Sequence, residues 1–388
     1  MSRQQGTAFV PETQMPLWDY GVEAEDPAFL TKQLLTYIGN KRTLLGHIGR
    51  AVDKVKERLG KKHLRILDAF AGSGIVSRYL KSQASFIISN DIEDYAAVVG
   101  RCYLRNSSSV NWPLLLSEIN DLNDRVDRHC FGRGFIEELY APRDEDHITK
   151  EDRVFYTKEN AKRLDNYRRL MEEVTPEHKD LLLAPLLSEA SIHANTAGVF
   201  KGFYKNSVTK VGQFGGTKGD ALSRIRATIK LVPPILSRYE CDVQVLRQDA
   251  NETVRSCRNL DLVYIDPPYN QHPYGANYFM LNLLVHYERP EHISKVSGIP
   301  INWRRSDYNV RTRSLVRFRQ LVQTVDTSFL LISFNNEGFI SPQEMISILQ
   351  EVGTVDVLEL PYNTFRGSRN LRDRDIHVTE QLFLVERR

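Results

Sequence analysis

The sequence predicts an α/β fold: a Rossmann-like, mostly parallel sheet with an antiparallel C-terminal hairpin, interrupted by a long helical insertion. Three observations predict it. Two short apolar runs, Leu64 to Phe70 and Phe86 to Ser89, bracket a helical stretch and make one strand-helix-strand unit. Four more runs, Val243 to Leu246, Leu260 to Ile265, Phe329 to Ser333 and Val355 to Leu360, resume the pattern far downstream, and Thr379 to Val385 is placed to pair antiparallel with the strand before it. The chain between the two groups is polar and carries helical spacing.

In chain order, residues 1–30 hold Pro11, Pro16 and Pro27 with little periodicity and read as an irregular arm that docks through Trp18 or Tyr20. Leu44, Leu45, Ile48, Val52, Val55 and Leu59 recur on one helical face, and Gly60 ends that helix. Residues 31–100 and 241–388 form the catalytic domain, with 101–240 as an insertion. Within the insertion Ala161 to Glu173 and Lys179 to His193 are the clearest helices, followed by a glycine-rich basic stretch from Gly198 to Lys218.

At 388 residues with 41% hydrophobic and 26% charged residues, the chain is ordinary for a globular protein and excludes a disordered or fibrous one. No apolar run spans a membrane, and the acidic N-terminus lacks a signal peptide, so the expected location is cytoplasmic. Cys102, Cys130, Cys241 and Cys257 show no metal-type spacing, nor do the histidines, and no metal is expected. A net charge of +3 permits a polyanionic partner without demanding one.

The strongest chemical signal is Asp266-Pro267-Pro268-Tyr269, directly after the strand ending at Ile265. An amino group on an aromatic base is a poor nucleophile, because its lone pair is delocalised into the ring. The Asp266 carboxylate and the Pro267 carbonyl can each accept one amino hydrogen, which localises that pair and offsets positive charge as a bond forms. Prolines hold the carbonyl rigidly, and Tyr269 offers a flat face to a base taken out of its stack. The bland alternative is a strand ending in a Pro-Pro turn.

The second signal is Asp68-Ala69-Phe70-Ala71-Gly72-Ser73-Gly74 at one strand end, with Asp91 at the end of the next. Glycines let the backbone approach a ligand, and an acid at the second strand end suits ribose hydroxyls. No Gly-Lys-Ser/Thr follows, which argues against a phosphate cradle. With the first motif, this implies S-adenosyl-L-methionine.

Tyr37-Ile38-Gly39-Asn40-Lys41-Arg42, the Phe-x-Gly-Ser-Gly motif and Asp-Pro-Pro-Tyr stand here in an order that resembles the alpha-class (Dam-like) adenine-specific DNA methyltransferases. Gln248-Asp249-Ala250 resembles that family's acidic motif before the catalytic strand. Arg366-Gly367-Ser368-Arg369 and Glu380-Gln381-Leu382 resemble its last hairpin. The resemblance implies an S-adenosylmethionine-dependent methyltransferase sheet and residues 101–240 as the target-recognition insertion. It implies that Tyr37 and Lys41 contact the cofactor, with Lys41 on its carboxylate, that Asp68, Phe70 and Gly72 line the pocket, and that Asp91 holds the ribose. Asp249 would lie near the cofactor adenine. For Asp249 a solvated acid before a helix, and for Lys41 a solvated lysine, are the bland alternatives. Asn40 departs from the glycine of the best-known members.

Two basic segments interleaved with aromatics suit a nucleic acid: one carries Lys201, Lys205, Lys210, Lys218, Arg224, Arg226 and Lys230, the other Arg304, Arg305, Arg311, Arg313, Arg317 and Arg319. Lys201, Lys205, Arg304, Arg305, Arg366 and Arg369 are the expected DNA contacts. The function expected is methylation of the exocyclic amino group of a flipped adenine in double-stranded DNA, as the modification enzyme of a restriction system, in a bacterial or phage-encoded, nucleoid-associated setting. A cognate restriction endonuclease acting separately is the further partner expected. No cysteine follows a proline, which excludes attack at a cytosine ring carbon. Methylation of a cytosine amino group or of structured RNA stays open, and a non-catalytic DNA-binding module is the reading from another class.

Overall fold

The computed structural model describes residues 25–128, 131–216, 219, 221–335, 338–363 and 377–388. Its centre is a seven-stranded sheet of β1 (Leu64–Asp68), β2 (Ala84–Asn90), β3 (Asp242–Leu246), β4 (Leu260–Ile265), β5 (Thr327–Asn335), β6 (Gly353–Asn363) and β7 (His377–Arg387). The strand order is β3-β2-β1-β4-β5-β7-β6. The first five strands run parallel, while β7 pairs antiparallel with both β5 and β6. The expected hairpin therefore folds back, so that β7 enters the sheet between its two partners.

Successive side chains of a strand point to opposite faces, and the sequence uses both. Leu64, Ile66, Leu262 and Tyr264 join one hydrophobic cluster, while Leu67, Val263 and Ile265 join the other. Strands buried on both faces read as continuous apolar runs, which is why β4 is legible in sequence. Behind the second face lie the helices Ala250–Ser256, Arg311–Thr324 and Pro342–Gln350.

The first face carries the helix Leu45–Leu59, which begins one residue later than its apolar pattern because Arg42–Leu44 forms a 3₁₀ turn. Gly60 ends it in the left-handed region, at φ 64°. The helices Asp94–Tyr103, Trp112–Asp127, Lys158–Leu170, Lys179–Ile192 and Phe279–His286 share this cluster. Lys158–Leu170 starts ahead of the apolar pattern because the Thr157 side chain accepts the Asn160 amide as an N-cap. In Lys179–Ile192, Leu181, Leu182, Leu186 and Leu187 are all fully buried, so the helix is enclosed rather than amphipathic. The helices of residues 101–240 are thus built into the same core as the sheet, each buried leucine contributing about 1.5–3 kcal/mol.

Among the described residues no helix is long and apolar enough to cross a membrane, and no group of three or more His, Cys, Asp or Glu is placed to hold a metal ion. The expected irregular arm of residues 1–30 is not irregular at its end: Pro27–Thr31 form a helix capped by Asp26, because Phe29 and Leu30 pack into the first cluster. Residues 1–24, Cys130, Lys218, Arg366 and Arg369 lie outside the described residues.

Candidate active site

The order of the parallel strands reverses between β1 and β4, and a crevice opens there beyond their C-terminal ends. It is lined by Tyr37, Gly39, Lys41, Asp68, Phe70, Gly72, Asp91, Gln248, Asp249 and Asp266, among others. Every residue expected at the cofactor thus borders one pocket. Pro268 lines it as well, while Pro267 is buried beneath and Tyr269 packs alongside.

After β1 the chain turns sharply. Gly72 takes φ 53° and Gly74 φ 74°, values that favour glycine. A Cβ at Gly72 would lie 3.0 Å from the Tyr37 ring, so the glycine also makes room for that tyrosine. Tyr37 is fixed by stacking on Tyr274 at 5.1 Å and on Tyr278 at 4.7 Å, and its hydroxyl is 3.1 Å from that of Tyr95. Asp91 closes the turn: its carboxylate accepts the Gly72 amide at 2.8 Å and the Glu93 amide at 2.9 Å. Burial pushes the Asp91 carboxyl up, and these amide hydrogen bonds pull it back.

Asp68 is completely buried. The Ser77 hydroxyl donates to its Oδ2 at 2.6 Å, while Oδ1 has no hydrogen-bond partner among the described residues. Burial pushes this carboxyl up to about 7, against the opposing pull of Ser77. Phe70 meets Tyr308 edge to face at 5.1 Å, and the Tyr308 hydroxyl donates to Asn251 at 2.9 Å. Asp249 caps the helix Ala250–Ser256 by accepting the Asn251 amide, and Arg317 lies 2.7 Å from its carboxylate. Its capping role and its place in the pocket therefore coexist.

The catalytic motif is arranged around Lys41. The Lys41 ammonium is 3.1 Å from Asp266 Oδ1 and 3.6 Å from Glu380 Oε1, and it lies over the Tyr269 ring at 4.8 Å. The Lys41 ammonium also donates to the Gly39 carbonyl at 3.2 Å, so its partners include two carboxylates and a carbonyl of the chain itself. The Tyr269 hydroxyl donates to Asp266 Oδ1, and its ring meets Phe334 at 4.7 Å. Asp266 is 17% exposed. Burial raises its carboxyl, and Lys41 is the main influence holding it down.

Several site residues were not singled out in sequence. Buried Asn90 binds three strand ends together: its side chain donates to the Ala69 carbonyl at 3.1 Å and the Gln248 carbonyl at 3.2 Å, and accepts the Gln248 amide at 3.2 Å. Ser306 and Asn309 line the pocket, as does Tyr308, which was expected only as an aromatic of the second basic segment, and Asn309 donates to the Asn270 carbonyl after Tyr269 at 2.8 Å. Glu380 stood only in a hairpin motif.

The basic segments divide. Arg304 borders the pocket, donating to the Ile92 carbonyl at 2.8 Å and pairing with Asp94 at 3.4 Å. Arg224 donates to the carbonyls of Ile192, Ala194 and Thr196, Arg313 pairs with Asp307, and Arg319 pairs with Glu351. Lys201 and Arg305 are exposed; Arg305 lies over Trp303 at 4.6 Å, and half-buried Lys205 lies over Phe203 at 4.8 Å. The Phe200 amide donates to the Asn277 carbonyl at 2.7 Å, which ties the first segment to the turn after the catalytic loop. His272 in that loop is held below its usual value by burial and by Lys201.

Residues 37–348 match the family model described as D12 class N6 adenine-specific DNA methyltransferase. The chain is 28% identical over 367 residues to the Type II methyltransferase M.NlaIII of Neisseria lactamica, covering 91% of this chain and 99% of that protein. It is 27% identical over 358 residues to the Type II methyltransferase M.CviAII of Paramecium bursaria Chlorella virus 1, covering 90% of this chain and 97% of that one. To the modification methylase StsI of Streptococcus sanguinis it is 27% identical over 377 residues, 91% of this chain but 52% of the relative, so the chain spans about half of that longer protein.

Proposed function

The chain belongs to the D12 class N6 adenine-specific DNA methyltransferase family, and on that premise we propose that it transfers a methyl group from S-adenosylmethionine to the exocyclic amino group of an adenine flipped out of duplex DNA. The observation that carries the reading is the single crevice that joins the Asp266 carboxylate to Asp68, Gly72 and Asp91 at the switch point of the sheet.

The pocket suits the cofactor. Asp68 offers a buried carboxylate oxygen without a hydrogen-bond partner among the described residues, and the Gly72 turn brings backbone and the Tyr37 ring to the pocket wall. Asp91 at the end of β2 suits ribose hydroxyls, and Phe70 and Tyr308 supply apolar walls beside Asp249 for an adenine ring. When bound, S-adenosylmethionine supplies an electrophilic methyl on a sulfonium.

The chain supplies acceptors and position. Asp266 and the Pro267 carbonyl take the two amino hydrogens, which turns the lone pair out of conjugation. Lys41 and the Tyr269 hydroxyl hold the carboxylate in one orientation. The amino group of a stacked, paired adenine cannot reach a recessed carboxylate, so the base must leave the helix. Exposed Lys201 and Arg305 would meet phosphates, residues 101–240 would read the sequence, and a separate restriction endonuclease would cut the unmodified site. Nucleoside analysis of DNA from cells expressing the chain tests this: N6-methyladenine should accumulate, and its absence would refute the proposal.

A further inference from the structure

We propose that Glu380 is a positioning residue of the transfer reaction, holding the Lys41 ammonium between two carboxylates so that Asp266 stays free to accept an amino hydrogen. The inference rests on the catalytic reading of Asp266 given above.

Glu380 is the odd residue of its strand. β7 carries Leu382 and Leu384 into one core cluster and Phe383 and Val385 into the other, yet Glu380 is only 2% exposed. A buried carboxylate is costly unless a cation meets it, and Lys41 Nζ lies 3.6 Å away. β7 can deliver it only because it enters the sheet beside β5, in register with Asn335. Lys41 is nearly as buried, at 3%.

Lys41 alone on Asp266 would be a closed ion pair, and its ammonium would compete with the substrate amine for the same oxygens. Sharing the ammonium with Glu380 leaves two carboxylates on one cation. The remaining negative charge faces the point where the amine becomes positive during transfer, in a site poor in water, where such charge is most effective. Besides Lys41 and Glu380, the described groups acting on Asp266 include Tyr264, Tyr269, Tyr274 and Asp68, none of them cationic. Glu380 is not among the residues lining the pocket, and it orients Asp266 through Lys41.

The test is steady-state kinetics on the full chain with duplex DNA. Glu380→Gln should lower kcat about tenfold, a fraction of what general acid-base groups contribute, with the affinities for S-adenosylhomocysteine and DNA unchanged. Its acid limb in kcat against pH should move to lower pH, since Asp266 loses a like-charged neighbour and gains a closer cation. In a Lys41→Met background, adding Glu380→Gln should lower kcat no further and should only move the acid limb to lower pH, as the like charge beside Asp266 is lost. A parent-like kcat and pH profile, or losses that multiply in the double variant, would overturn the inference. Should Glu380→Gln not fold, Glu380→Asp measured in the same way decides the matter. Asp266→Ala run alongside separates the two failures: if it is active, the catalytic reading falls, and if it is dead while Glu380→Gln is normal, only this inference falls.

Discussion

Lys41 Nζ stands 3.1 Å from Asp266 Oδ1, so a residue just ahead of the helix Leu45–Leu59 grips a carboxylate at the end of β4. The contact ties the segment around Gly39 to the turn after β4. Removing the cation strands a buried carboxylate, whose pKa is already raised by burial, and raises it further. Lys41→Ala should therefore lower kcat by about 10² and move the acid limb of kcat to higher pH, because the ionised Asp266 is the active form. Affinity for S-adenosylhomocysteine should change little. A large loss of affinity with normal kcat would return Lys41 to the cofactor carboxylate.

Asp91→Ala should weaken S-adenosylhomocysteine binding roughly ten- to hundredfold, the worth of hydrogen bonds to a charged group. Two losses combine, since the carboxylate both faces the pocket and fixes the Gly72 amide. DNA binding without cofactor should be unaffected. Calorimetry separates these, and unchanged cofactor affinity would mean that the pocket is misassigned.

Asp68 links function to stability. Its folded-state carboxyl, raised to about 7, binds a proton that the unfolded chain releases at ordinary carboxylate values. Between those values the folded state holds more protons, so the contribution of Asp68 is lost as pH rises toward 7. Asp68→Asn should melt about 2–4 °C higher than the parent above pH 7, with the difference fading in acid, while cofactor affinity falls. Thermal denaturation of the free protein across pH checks this, and a lower melting temperature at pH 8 would contradict it.

The central parallel strands were legible because strands buried on both faces read as apolar runs, and β4 begins and ends as its sequence suggests. The placement of β7 between β5 and β6 was not, because an antiparallel run can pair on either side and its neighbour is a tertiary choice. The motif residues of the site were legible since glycine and proline turns leave local signatures. Asn90, Asn309 and Glu380 carry no such signature: each is a polar residue whose role comes from what the fold sets beside it. Arg304 shows the reverse, a residue in a basic run that tertiary structure commits to Asp94 and the Ile92 carbonyl.

That division predicts different salt responses. Lys201→Ala combined with Arg305→Ala should flatten the dependence of DNA affinity on salt by about one to two counterions and leave the preferred sequence unchanged. Arg304→Ala should instead weaken cofactor binding and keep the salt slope. Titrations of a labelled duplex at several salt concentrations decide between these, and an equal loss of slope in both variants would contradict the division.

The most direct test of the central claim is transfer of a labelled methyl group from S-adenosylmethionine to duplex DNA, folded RNA and adenine-free duplex, by the parent and by Asp266→Ala. Label should appear only in adenine-containing duplex, as N6-methyladenine, and Asp266→Ala should be folded and inactive. Label on cytosine, stronger labelling of RNA, or full activity of Asp266→Ala would contradict the account.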